Sequence, residues 1–196
     1  MSILPADLVH AAEQTIALLV ERDLTVTVAE SCTGGLIAAC LTAVPGASAV
    51  FERGFVTYAN AAKETMLGVP AELIAEHGAV SEVVACAMAH GALVNAPAGV
   101  ALAVTGIAGP GGGSAEKPVG LVHVAVARRL GEDPAAEDPD VEILHKRFQF
   151  LGDRDHVRRA TVSAALDLLA AMLEEAVEDD PDQTAAQPAE DSPEGP

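Results

Sequence analysis

The chain has 196 residues, half of them apolar, with 11 Lys/Arg against 29 Asp/Glu and a net charge of −18. That length accommodates one domain with a sizeable core, and the acidic balance excludes the basic footprint of a nucleic-acid binder and a partnership with an anionic membrane. No Trp and a single Tyr leave no aromatic platform for base stacking, so Ala, Val, Leu and Ile must fill the interior.

Pro5 with Asp7 predicts a helix start, and Leu8, Ala12, Ile16, Leu19 and Val20 share one helical face up to Asp23. Leu24, Val26 and Val28 alternate with Thr25 and Thr27, which predicts a strand. Ser31-Cys32-Thr33-Gly34-Gly35 stops it in a tight turn, and a helix from about Gly35 to Val44 follows, ending at Pro45-Gly46. Val50 to Tyr58 reads as a second strand that delivers Thr57 and Tyr58 to its end, and Asn60 caps a short helix carrying Lys63. Pro70 opens another short helix that closes at His77-Gly78, and Ser81-Glu82 begins a long helix of small residues through Val94. Gly99 to Thr105 is nearly all apolar, the mark of a strand covered on both faces.

Gly106 to Ser114 is too glycine-rich for regular structure and too internal for a linker, so it reads as a mobile or functional loop. Pro118 to Arg129 and residues 141–150 alternate as a strand pair around a polar insertion at 131–140. Asp153 begins the last helix, with Val157, Ala160, Thr161, Ala164, Leu168 and Met172 on one face. The order of elements predicts an α/β fold, a three-layer α/β/α domain over residues 1–178 with a mixed, mainly parallel sheet of about five strands. Residues 179–196 read as an acidic disordered tail. Residues 174–196 and 132–142 hold nine and six of the acids, so the body is close to neutral and admits an anionic substrate.

Ligands in such sheets bind beyond the carboxyl ends of the parallel strands, where Ser31, Tyr58 and Thr105 converge. The Ser31 turn offers two hydroxyls and a thiol beside a helix start whose amides can hold an anion; Ser31 or Thr33 can equally serve as a plain helix cap. A serine nucleophile needs a base. None of the six histidines forms a triad or shows metal-ligand spacing, so no metal and no cofactor are expected. Lysine is the other base, and Lys63, on a largely apolar short helix, is either a base with a lowered pKa or an ordinary solvated lysine. Cys32, Cys40 and Cys86 lack C-x-x-C spacing, which together with the absence of a leader or an apolar run of about 20 residues predicts reduced thiols and a cytoplasmic location.

The motifs V-A-E-S-C-T-G-G at 28–35, T-Y-A-N-x-x-K at 57–63, G-A-V-S-E at 78–82, V-T-G-I-A-G-P-G-G-G at 104–113, E-K-P-V-G at 116–120 and G-D-R at 152–154 resemble the CinA C-terminal domain family, the nicotinamide-nucleotide amidohydrolases. The resemblance runs from about residue 5 to 175. It implies deamidation of nicotinamide mononucleotide to nicotinate mononucleotide and ammonia without a metal, an α/β/α fold similar to the anticodon-binding-domain group with one strand antiparallel to the rest, and a homodimer. It also implies Ser31 as nucleophile and Lys63 as its base, with Tyr58 and Thr105 lining the same site. Ala59, Leu121 and His123 depart from the Ser, Thr and Tyr more common in the family, which touches substrate preference more than reaction class. Larger relatives carry an additional amino-terminal domain for which this length has no room.

On that mechanism the amides of Thr33, Gly34 and Gly35 hold the oxyanion, and Tyr58 relays a proton or tunes Lys63. Asn60, Gly106, Gly109, Gly111, Gly112, Ser114 and Arg154 are candidates to bind the nucleotide and its phosphate. Two rivals stand beside it. Cys32 can be the nucleophile if the helix start lowers its pKa, and the fold can serve as a catalytically idle protein that binds a nucleotide or a partner through the glycine loop.

Overall fold

The computed structural model describes residues 3–131 and 140–175. Its elements in chain order are α1 (Ala6–Glu21), β1 (Val26–Glu30), α2 (Leu36–Thr42), a 3-10 turn (Ala47–Ala49), β2 (Phe51–Val56), α3 (Asn60–Leu67), α4 (Ala71–His77), α5 (Glu82–Val94), β3 (Val100–Gly106), β4 (Leu121–Arg129), β5 (Val141–Gln149) and α6 (Arg154–Glu175). The strands form one sheet in the order β2-β1-β3-β4-β5. β1 pairs parallel with β2 and β3, whereas β4 pairs antiparallel with β3 and β5. β4 alone therefore runs against the others.

Side chains of opposite parity fill two unlike layers, as a pleated sheet with period two requires. On one face Val26, Val28, Val100, Leu102, Val104, Val122, Val124 and Val126 meet Leu8, Ile16 and Leu19 of α1, Ile37 and Leu41 of α2, and Val157, Leu166 and Leu169 of α6. Each such buried aliphatic contributes about 1.5–3 kcal/mol of transfer free energy. The other face is mostly alanine: Ala29, Ala101, Ala103, Ala125 and Ala127 pack under Val84, Met88 and Leu93 of α5, with Leu67 and Ile74 from α3 and α4. Small residues let α5 lie close to the sheet. Gly91 extends that economy, because a Cβ there would sit 1.9 Å from the Leu67 carbonyl oxygen, so only glycine lets α5 meet the end of α3. This contact seats the helix that carries Lys63.

Several boundaries differ from the sequence pattern for local reasons. Asn60 is the first helical residue of α3, and Ala59, in an extended conformation, takes the cap position without a side-chain bond. The strand expected from Pro118 begins at Leu121, because Gly120 N–H donates to Ile107 O at 2.7 Å and Leu121 N–H to Pro118 O at 3.1 Å, committing 118–120 to the glycine loop. The 3-10 turn after α2 was not foreshadowed by periodicity. Positions 132–139 of the expected insertion and all of 179–196 lie outside the described residues. No described helix is long and apolar enough to cross a membrane.

Candidate active site

The parallel ladders continue one residue past the strands. Thr57 N–H donates to Glu30 O at 2.8 Å and Ser31 N–H to Val104 O at 3.1 Å, while Thr105 sits opposite His123 in the β3–β4 register. Thr57, Ser31, Thr105 and His123 thus follow one another across the carboxyl edge of the parallel strands, all buried. The chain then turns from β2 into α3, which brings Lys63 back over this row. Lys63 is 1 % exposed, and its Nζ donates to Thr57 O at 2.7 Å and lies 3.1 Å from Ser31 Oγ. Burial holds its pKa below the ordinary 10.5 of a lysine, with the nearby Cys32 sulfur opposing in part. An amine in its neutral form can serve as base to a hydroxyl at this distance.

The turn that presents Ser31 is closed by Gly34 N–H to Ser31 O at 3.1 Å, and Gly34 and Gly35 take positive φ of 61° and 93°, which suit glycine. The helix start is already occupied. Glu30, fully buried at the end of β1, accepts from Gly35 N–H at 3.0 Å and Ile37 N–H at 3.1 Å through Oε2, and from Ala38 N–H at 2.8 Å through Oε1. Of the three amides expected to hold an oxyanion, Gly34 and Gly35 are therefore engaged within the fold. The amide N–H groups of Cys32 and Thr33 make no backbone hydrogen bond among the described residues. The Thr33 and Thr57 hydroxyls, both buried, have no partner among the described residues.

Arginines from the first two turns of α6 complete the surroundings. Arg154 donates from Nη1 to Gly109 O at 3.0 Å and from Nη2 to the Tyr58 hydroxyl at 2.9 Å, joining the glycine loop to the end of β2. Arg158, one helical turn on, donates from Nη2 to Thr33 O at 2.8 Å, and its buried Nε has no described partner. Lys117 donates to Val80 O at 2.8 Å and to His77 O, fastening the far end of the glycine loop to the α4–α5 connection. In an acidic chain these three cations and Lys63 gather at one end of the sheet.

The remaining sequence candidates separate. The Thr105 hydroxyl donates to Ala79 O at 2.8 Å, so it fastens the α4–α5 connection at the edge of the row. Tyr58 is exposed and bonded to Arg154, with no hydrogen bond to Lys63 among the described residues. Asn60 is exposed at the start of α3, and Gly111, Gly112 and Ser114 are exposed on the loop, where Ser114 Oγ accepts from Lys117 N–H at 3.0 Å. A Cβ at Gly106 would lie 2.9 Å from Leu121 O and 3.1 Å from Cys32 Sγ, so this glycine serves close packing. Burial pushes the Cys32 thiol up to about 12, the reverse of the lowered pKa that a thiol nucleophile needs. Glu30, Arg158 and Lys117 were not among the residues expected at the site, and Thr57 was placed only at the end of its strand; the motifs at 28–35 and 116–120, which contain Glu30 and Lys117, were the available signal.

One further cluster flanks the row. His123 Nδ1 lies 3.0 Å from His145 Nε2 with the rings stacked, and His145 Nδ1 lies 3.6 Å from Glu82. Burial, with His145 and Arg147 adding, holds His123 down at about 4, so it is neutral at ordinary pH. Among the described residues no group of three or more His, Cys, Asp or Glu is arranged to hold a metal ion.

Known proteins resemble this chain in sequence and in fold. The CinA C-terminal domain matches residues 9–173. A CinA-like protein of Anaeromyxobacter sp. (strain K) is 53% identical over 157 residues, 80% of this chain and 36% of the relative, so the chain spans about a third of that protein's length. The nicotinamide-nucleotide amidohydrolase PncC of Escherichia coli (strain K12) is 49% identical over 164 residues, 84% of this chain and 93% of that protein. The crystal structure of the competence/damage inducible protein CihA from Agrobacterium tumefaciens superposes with a TM-score of 0.79 at 50% identity, covering 89% of this chain and 99% of that one. With the fold, the motifs and these alignments in agreement over nearly all described residues, the chain belongs to the CinA C-terminal domain family.

Proposed function

We propose that the protein hydrolyses the carboxamide of nicotinamide mononucleotide to nicotinate mononucleotide and ammonia through an acyl-enzyme on Ser31. The observation that carries this reading is Lys63, buried, depressed in pKa and 3.1 Å from Ser31 Oγ. Ser31 Oγ attacks the carboxamide carbon as its proton passes to Lys63. The C=O electrons move onto oxygen, and the amides of Cys32 and Thr33, the two in the turn not committed to Ser31 or Glu30, receive the oxyanion. Lys63 returns the proton to nitrogen, the C–N bond breaks and ammonia leaves. Water then attacks the ester, delivering its proton to Lys63, and the C–O bond to Ser31 breaks to release the carboxylate and restore the hydroxyl.

For the phosphate, Arg154 and the amides of Gly109, Gly111 and Gly112 are the binding groups, with Ser114 at the loop's end. The gathering of Arg154, Arg158 and Lys117 around the sheet edge supports an anionic substrate. The homodimer implied by the family is part of the same proposal, and exposed Val56 and Met66 on β2 and α3 offer it apolar surface. The amidase test is release of ammonia from nicotinamide mononucleotide by purified protein, together with intact-mass detection of acylated Ser31 after rapid quenching. Tight binding without ammonia would replace this reading with that of a nucleotide-binding protein.

A further inference from the structure

We propose that Glu30 is a positioning residue for Ser31: its buried carboxylate ties down the start of α2 and thereby fixes the turn that presents the nucleophile. This rests on the reading of Ser31 as the nucleophile. Glu30 is 0 % exposed and accepts three amide hydrogen bonds, from Gly35, Ile37 and Ala38, at 2.8–3.1 Å. It is the last residue of β1 and the neighbour of Ser31, so its own backbone is fixed by the sheet. Side chains alternate along a strand, so Glu30 points to the α2 face while Ser31 points to Lys63 on the opposite face. The span from Ser31 to Gly35 is thus held at both ends: the strand fixes one, and the carboxylate, reaching across to the helix, fixes the other.

The consequence reaches the chemistry in two ways. First, the turn carries two glycines at positive φ, a flexible stretch whose hydroxyl would otherwise sample many positions relative to Lys63. Second, the carboxylate absorbs the Gly35 amide together with Ile37 and Ala38, so the helix start is closed to an outside anion. The oxyanion is thereby assigned to Cys32 and Thr33, the residues adjoining the nucleophile. Arg158 holds the same turn from the other side through Thr33 O at 2.8 Å. A neutral carboxamide cannot replace Glu30. A glutamine offers one acceptor oxygen where two are used, and turns an N–H group toward a backbone N–H.

The experiment compares wild type with Glu30→Gln and Glu30→Asp, the second keeping the charge but withdrawing it by one methylene. Three quantities are measured on folded protein: kcat and KM with nicotinamide mononucleotide, the rate at which a fluorophosphonate probe labels Ser31 by intact mass, and the thermal melt. Expected for both variants is a fall in kcat of about a hundredfold with KM nearly unchanged, and a parallel fall in the labelling rate. A residue with only a structural role would lower the melt and leave both rates per folded molecule at the wild-type level, which would overturn the inference. If Glu30→Gln does not fold, Glu30→Asp decides. A wild type that takes the probe but releases no ammonia overturns the amidase reading alone, with labelling rates still deciding Glu30. A wild type that does neither overturns both.

Discussion

The carbonyl oxygen of Thr57 accepts a hydrogen bond from Lys63 Nζ at 2.7 Å, and that contact aims the amine at Ser31. A neutral amine has two N–H groups and one lone pair. With one N–H given to Thr57, the lone pair is free to face the Ser31 hydroxyl 3.1 Å away, which is the arrangement a base needs. An ammonium in the same place would have two uncharged oxygens as hydrogen-bond partners, since no carboxylate pairs with Lys63 among the described residues. The site favours the neutral form by what surrounds it as well as by burial.

Ser31→Ala and Lys63→Ala should therefore each lower kcat for ammonia release by about a thousandfold or more, with a native circular dichroism spectrum. The double variant should be little worse than either, because two groups that move one proton act as a unit. Substantial turnover by Lys63→Ala would end the dyad assignment.

Much of this was legible because it rests on local rules. A period-two run before Ser31, the stretch from Val50 to Tyr58 and a continuous apolar run to Thr105 marked strand ends, and parallel sheets place ligands there. The unlike faces of the sheet could not be read so directly, since valine and alanine both count as apolar and only packing distinguishes them. Side-chain contacts between distant segments were also invisible. A glutamate after Val28-Ala29 reads as the polar end of a strand, and only the folded turn brings three amides to it. Arg158, which meets Thr33 O, and Arg154, which meets the Tyr58 hydroxyl, reach the turn and the end of β2 only once α6 has packed against the sheet.

Cys32→Ala should retain turnover within about threefold of wild type, and iodoacetamide at pH 8 should leave Cys32 unmodified in the folded protein. Burial that raises its pKa to about 12 leaves almost no thiolate at that pH. Loss of activity in Cys32→Ala, with the fold intact, would restore the thiol as nucleophile.

Arg154→Ala tests the phosphate. A charge-assisted hydrogen bond lost from an anion costs about 1.5–3 kcal/mol, so KM for nicotinamide mononucleotide should rise roughly ten- to a hundredfold. Nicotinamide riboside, which lacks the phosphate, should be the poorer substrate of wild type and should be affected far less by the substitution. Equal effects on both substrates, measured as kcat/KM, would place Arg154 in loop and Tyr58 anchoring alone.

Truncation after Glu178 should leave turnover and melting temperature nearly unchanged. Among the described residues the last buried side chains of α6 are Met172 and Leu173, and the removed stretch has too few apolar residues to offset the entropy of ordering it. A drop of several degrees in the melt would show that the segment contributes to the fold.

Lys63→Met joins function to stability through pH. The thioether fills similar volume without a charge, so the variant should lose turnover while melting no lower than wild type near neutrality. In wild type the folded-state pKa of Lys63 lies below its unfolded value of 10.5. Between those two values the unfolded chain holds a proton that the folded chain has released, so raising the pH stabilises wild type, by at most about 1.4 kcal/mol per unit. Below the folded pKa both states are protonated, and the penalty for burying the charge is constant and complete. Methionine has no such titration. The melting-temperature advantage of Lys63→Met should accordingly be largest at low pH and shrink as pH rises toward 10.5, while wild-type kcat climbs over the lower part of the same window as neutral Lys63 accumulates. Taking the difference between the two proteins removes groups that titrate in both. An advantage that stays flat from pH 6 to 10, or a kcat that rises only near the pKa of a free lysine, would mean that Lys63 is not held neutral by its burial.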